Sequence, residues 1–97
     1  VSGQLPMTLD TREPFTGDIA EQTELALRNV EVVLLAAGSD LSKVLQFTIY
    51  VSDMELWDAV NAKDAEVMGD HRPARAIVPV KDLDFGVKIE IQAIAFV

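Results

Sequence analysis

The sequence contains no cysteine. That removes disulfides, thiolate nucleophiles and thiolate metal sites together. Histidine is nearly absent too, with His71 alone, so a transition-metal site has no imidazole pair to build on and no metal or cofactor is expected. Positive charge is scarce: eight Lys and Arg stand against sixteen Asp and Glu, for a net charge of −8. Arg12, Arg28, Lys43, Lys63 and Lys81 are scattered rather than clustered, and an acidic surface repels phosphate backbones, so nucleic acid is not an expected partner. There is no glycine-rich phosphate loop and no serine in a nucleophile motif. No apolar run approaches the ~20 residues of a membrane span, and no charged, apolar leader opens the chain. No membrane partner and a cytoplasmic location follow as expectations, with a targeting segment ahead of Val1 left open.

What is present is apolar bulk. Hydrophobic residues make up 49% of 97 residues, enough for one small domain over 1–97 and for subunit contacts as well. Val1-Ser2-Gly3 reads as the end of a strand, followed by a polar loop with Pro6, Pro14 and Gly17. Asp18, with Glu21 three residues on, resembles a helix-capping box. Ile19, Thr23, Ala26, Leu27, Val30, Val33, Leu34 and Ala37 then keep the 3.6-residue period of an amphipathic helix, which Gly38 ends. From Val44 the pattern alternates, placing Leu45, Phe47, Ile49 and Val51 on one face and Val44, Gln46, Thr48 and Tyr50 on the other. Asp53 caps a second helix that ends about Met68, with Leu56, Trp57, Val60 and Val67 as inward candidates.

The C-terminal third carries two more alternating runs, 72–80 and 87–97. In the second, Val87, Ile89, Ile91, Ala93 and Ala95 share a face, while Lys88, Glu90, Gln92, Ile94 and Phe96 share the other. Pairing the two runs through the intervening turn would set Arg75 and Glu90 on one side of a sheet. The element order predicts an α/β chain of the α+β kind, a two-layer sandwich with two helices packed on one face of a mixed sheet. The other sheet face, bearing Val44, Tyr50, Ile77, Ile94 and Phe96, is too apolar for water and reads as a subunit interface.

Val1-Ser2-Gly3-Gln4-Leu5-Pro6, Asn29-Val30, Ala36-Ala37-Gly38, Val60-Asn61, Arg72-Pro73-Ala74-Arg75 and Val87-Lys88-Ile89-Glu90-Ile91-Gln92-Ala93-Ile94-Ala95 together resemble the RidA/YjgF family. The resemblance implies a chorismate-mutase-like fold, with the family's N-terminal strand pair largely missing here. It also implies a homotrimer with clefts between subunits. It implies an enamine/imine deaminase that takes a small 2-imino acid, such as 2-iminopropanoate or its tautomer 2-aminoacrylate, to a 2-keto acid and ammonia. On this reading Arg75 anchors the substrate carboxylate and Glu90 positions a water. Ser2, Gly3, Asn61 and Ile77 line the substrate pocket, Ile77 standing where several relatives carry cysteine. Gln92 occupies a position where many relatives have a second glutamate, and the family's aromatic residue on the first strand has no counterpart.

The residues themselves leave alternatives. A guanidinium suits bidentate capture of a carboxylate, but Arg75 serves equally as an interface ion pair with Glu90 or with another subunit's acid. Glu90 suits water activation or acts as a counter-ion to Lys88 or Arg75. Asn61 in mid-helix reads as surface, Gly3 as a strand end, and His71 as a surface group. Two rival functions stand beside the deaminase. One is a non-catalytic module binding small carboxylates in a regulatory or chaperone-like role. The other is the ribonuclease or translation-inhibitor activity with which the family has been labelled, which the −8 charge disfavours.

Overall fold

A computed structural model describes all 97 residues. Helix α1 spans Ile19–Ala36, strand β1 Val44–Val51, helix α2 Trp57–Met68, strand β2 Ala74–Pro79 and strand β3 Ile89–Ala95. Helix α1 starts where a short acidic side chain takes up a free backbone donor, whereas α2 has no side-chain cap of its own and the expected Asp53 cap falls on the 3₁₀ turn before it. The Asp18 carboxylate accepts from the Ala20 amide at 2.7 Å. Asp53 accepts from Glu55 at the 3₁₀ turn Met54–Leu56, which leads directly into α2. Gly38, at φ +82°, takes the left-handed backbone that closes α1 without the strain a side chain would add.

The sheet order is β2-β1-β3. Helix α2 returns the chain so that β2 runs parallel to β1, with Phe47 opposite Arg75 and Ile49 opposite Ile77. The connection 80–88 then crosses to the far side of β1. There β3 pairs antiparallel, setting Ile49 opposite Ile91 and Tyr50 opposite Glu90. Residues 1–4 extend the sheet beyond β3: the Gln4 backbone N–H donates to the Ile91 carbonyl at 2.6 Å and the Gln4 carbonyl accepts from the Ile91 N–H at 3.0 Å, while the Val1 amine donates to the Ala93 carbonyl.

This topology corrects the expected pairing of the two C-terminal runs. They flank β1 instead of neighbouring each other. Partners across a ladder share a face, so Arg75 lies on the face of Phe47 and Glu90 on the face of Tyr50. Those two residues are three apart in one strand and point to opposite sides. Arg75 therefore faces the helix layer, and Glu90 faces the open side.

The core joins Ala26, Leu27, Val30 and Leu34 of α1, Val60 and Met68 of α2, and Phe47, Ile49, Ile89 and Ile91 of the sheet. Five expected facings change, three along the strands and two on the helices. A bulge between Val44 and Gln46 turns Val44 into the core and leaves Leu45 55% exposed, because an extra residue reverses the pleat. Ile77 packs against the core, since its parallel partner is the inward Ile49. Trp57 is only at the first position of α2 and stays partly exposed, as does Val33 at the margin of the apolar stripe of α1.

Polar side chains inside the helix layer hold segments that have no sheet of their own. Gln22 accepts from the Lys88 amide at 2.8 Å and donates to the Gly17 carbonyl at 2.9 Å. Asn29, fully enclosed, donates to the carbonyls of Met7 at 2.8 Å and Leu25 at 2.9 Å, with Leu5 at 3.2 Å, and accepts from Arg12. Asn29→Ala would strand those loop carbonyls in a dry interior. The expected cost is about 2–4 kcal/mol of stability, read by denaturant unfolding, with earlier proteolysis in the loop before α1.

Candidate functional site

Arg75 and Asn61 meet. Asn61 and Asp64 lie three residues apart on α2, so both reach the same side of the helix, and that side looks onto β2. One terminal nitrogen of Arg75 donates to Asp64 Oδ2 at 2.7 Å, and the other donates to Asn61 Oδ1. Within the chain the ion-pair partner is Asp64, not the expected Glu90. The guanidinium is paired, yet it borders open space. A cleft of about 420 Å³ is lined by Asn61, Asp64, Ala65, His71, Arg72, Pro73 and Arg75, a volume that fits a small polar molecule.

His71 lines the same cleft and is half-buried rather than a free surface group. Its Nε2 lies 2.8 Å from the Val44 carbonyl. A carbonyl can only accept, so Nε2 carries the proton and ties the loop to β1. Arg72 donates to the carbonyls of Gly69 and His71. Asp64 went unnoticed in the sequence. A signal existed: it falls in register with Val60 and Met68, all three buried, so its place in the inward stripe of α2 was readable. Its carboxyl is pushed above the ordinary aspartate value by burial, against the opposing pull of the Arg75 hydrogen bond and charge and of the Arg72 charge.

Glu90 forms a second, separate cluster on the open face. Its carboxylate rests on Gly3, where a Cβ would come within 1.9 Å of Oε2, so the absence of a side chain there is what admits the carboxylate. The Gln4–Ile91 bridge holds the segment in place. None of the chain's ion pairs includes Glu90. Ser2, next to Gly3 in the chain, is exposed, and its carbonyl accepts from the Gln4 side chain. Ile77 is half-buried two residues beyond Arg75 on the same face. The expected site residues therefore divide into Arg75, Asn61 and Ile77 on one side of the sheet, and Glu90 with Gly3 on the other. Another depression of about 410 Å³, on α1 among Leu9, Glu21, Glu24, Leu25 and Arg28, touches none of them.

Comparison with known proteins agrees in sequence and in shape. The family model described as endoribonuclease L-PSP matches residues 1–97. A RutC family protein of Pyrococcus horikoshii is 41% identical over 96 residues, covering 99% of this chain and 76% of its own. A crystal structure of a Thermotoga maritima protein, described as a candidate endoribonuclease, superposes with a TM-score of 0.92 at 42% identity, covering 98% of this chain and 75% of that one. A crystal structure of Escherichia coli TdcF with bound serine gives 0.91 at 32% identity, covering 98% and 76%. TdcF is named as a candidate reactive intermediate deaminase, and it aligns over 97% of this chain and 74% of its own length. With the whole chain matched by the family model and relatives above 30% identity across nearly all of it, the chain belongs to the endoribonuclease L-PSP family, the RidA/YjgF family that its motifs resemble.

Proposed function

We propose that the protein is an enamine/imine deaminase that hydrolyses 2-iminopropanoate, 2-aminoacrylate and similar intermediates to 2-keto acids and ammonia. The observation that carries this reading is the arginine cleft: a guanidinium fixed from α2 beside a small polar space, which suits the carboxylate that every such substrate bears. Glu90 supplies the second function. Water held by its carboxylate adds to the C=N carbon while Glu90 takes one proton and passes it to nitrogen, giving a carbinolamine; the hydroxyl proton of that carbinolamine then moves to nitrogen through Glu90 as the carbon–nitrogen bond breaks, releasing ammonia and leaving the ketone. The steps move one water and its protons, so the chemistry calls for no cofactor. These imines are already reactive in water, and orientation supplies much of the required acceleration.

One protomer does not suffice, because Arg75 and Glu90 occupy opposite faces. A head-to-tail contact, in which the Arg75 edge of one copy meets the Glu90 face of the next, would join the two clusters and close as a ring. We place three copies in that ring, a homotrimer with a substrate cleft at each contact. The apolar groups left in solvent support it: Leu45 is 55%, Ile94 60% and Phe96 52% exposed. Gln46, Thr48 and Tyr50 share this open face, whereas the inward Val44 takes no part.

A non-catalytic carboxylate-binding module is the second reading, favoured by the E. coli TdcF crystal that holds serine, a carboxylate with no imine to hydrolyse. RNA is disfavoured by the −8 charge. Two variants separate the first two readings. Arg75→Ala should weaken 2-oxobutanoate binding roughly ten- to a hundredfold under both; because it strands the buried Asp64, binding is measured well below the lowered melting temperature. Glu90→Gln should leave that binding little changed but slow ammonia release from enzymatically generated 2-aminoacrylate by up to ~10²-fold. Unchanged turnover in Glu90→Gln would remove the glutamate from the mechanism, and wild-type hydrolysis no faster than the uncatalysed rate would leave the binding module.

Gly3→Ala provides an independent check. The chain should fold normally, since the far end of Glu90 can swing away, yet turnover should fall as in Glu90→Gln with ligand binding retained. For the assembly, Ile94→Lys should convert trimers to monomers in sedimentation velocity at micromolar concentration, because a charge there would be desolvated at the contact. Wild-type protein sedimenting as a monomer contradicts the ring.

A further inference from the structure

We infer that Asp64 is a positioning residue that fixes the Arg75 guanidinium for its ligand, while Arg72 supplies the charge that draws the ligand in. The inference rests on the reading above that Arg75 receives a carboxylate. Asp64 occupies a place where packing alone would favour an apolar residue. It lies in the inward stripe of α2 with Val60 and Met68 and is 7% exposed. One of its oxygens, Oδ1, is enclosed without any hydrogen-bond partner. A carboxylate with one oxygen unpaired in a dry site costs stability, and replacing a buried ion pair with apolar groups is often neutral or favourable. Stability therefore does not account for Asp64.

Geometry does. Asp64 holds one terminal nitrogen of Arg75 and Asn61 holds the other, so the flat guanidinium is gripped at two corners from a single helix turn, which opposes its rotation. Of its five N–H donors, those not taken by α2 remain for a ligand at a fixed angle. The grip also redistributes charge. Asp64 balances Arg75 at 2.7 Å, and Lys63 beside it turns away to Glu24 and Glu66. Arg72, bonded to backbone carbonyls, makes no direct ion pair and meets the Asp64 charge only through space, so its charge is the less offset of the two cleft arginines. Long-range attraction of an anion thus falls to Arg72, and its alignment falls to Arg75.

Asp64→Asn and Asp64→Ala test this, because both remove the negative charge but only asparagine keeps an acceptor for Arg75. In titrations with 2-oxobutanoate, Asp64→Ala should bind about tenfold more weakly than wild type even though its cleft is more positive. Asp64→Asn should bind within about threefold of wild type, or more tightly. Equal tightening in both variants would show that Asp64 acts by charge alone, and unchanged affinity in both, with only the melting temperature altered, would show a purely structural role. Either result overturns the inference. Nitrogen-15 spectra of the ligand-free protein give a readout that does not need the functional reading: rotation of the Arg75 guanidinium should be slow in wild type and Asp64→Asn. Fast rotation in wild type would overturn the inference even if 2-oxobutanoate binds. Wild-type protein that binds no 2-oxo acid would refute the proposed function, and the same spectra would still decide whether Asp64 holds Arg75. Should Asp64→Ala not fold, the Asp64→Asn titration and spectra carry the test.

Discussion

The alternation of β1 is the constraint on which the rest of the molecule depends. β1 is the central strand, and each neighbour inherits its facing through the residue it pairs with. Phe47 directs Arg75 toward the helices, and Tyr50 directs Glu90 away from them. An odd separation along one strand thus splits the chemistry of the chain between two surfaces. A shift of either ladder by one residue would put both groups on one side and turn the hydrophobic set of that strand out of the core. The core fixes the register, and the register fixes the division of the site.

The helix layer does more than cover the sheet. Gln22, Asn29 and Asp64 are buried polar residues on its inner surfaces, and each reaches a segment outside its own helix: the start of β3, the N-terminal loop, and the arginine of β2. A buried polar group requires its partners in place, so such residues define where irregular segments rest. The two amides are well satisfied and act as staples. Asp64 keeps one oxygen unpaired, which sets it apart from them and ties its role to the cleft. On the open face the same logic runs through Gly3, where a missing side chain rather than a present one determines where the Glu90 carboxylate can lie.

Much of the architecture was legible because it follows from short-range rules. The apolar stripe of α1, the capping aspartates Asp18 and Asp53, and the alternation of β3 each depend on residues close in sequence. The family motifs identified Arg75, Glu90, Gly3 and Asn61 as residues worth following. Two of the misreadings had local causes: the bulge that inverted Val44 and Leu45 needs one residue without a partner, and nothing in an alternating string marks which residue that is. The facing of Ile77 depended on whether β2 joined β3 or β1, which the lengths of the connections left open.

By itself, then, the sequence determined the helices, the strands, the acidic surface and the motifs that place the chain in its family, since these are set by residue chemistry and by neighbours a few positions away. Tertiary structure alone decided that β1 lies between β2 and β3, that Arg75 turns to Asp64 and Asn61 rather than to Glu90, and that Glu90 rests on Gly3. Each of these depends on which distant segments pair and in what register. That choice is made by burying all the apolar faces at once, a condition on the whole chain that no stretch of it contains.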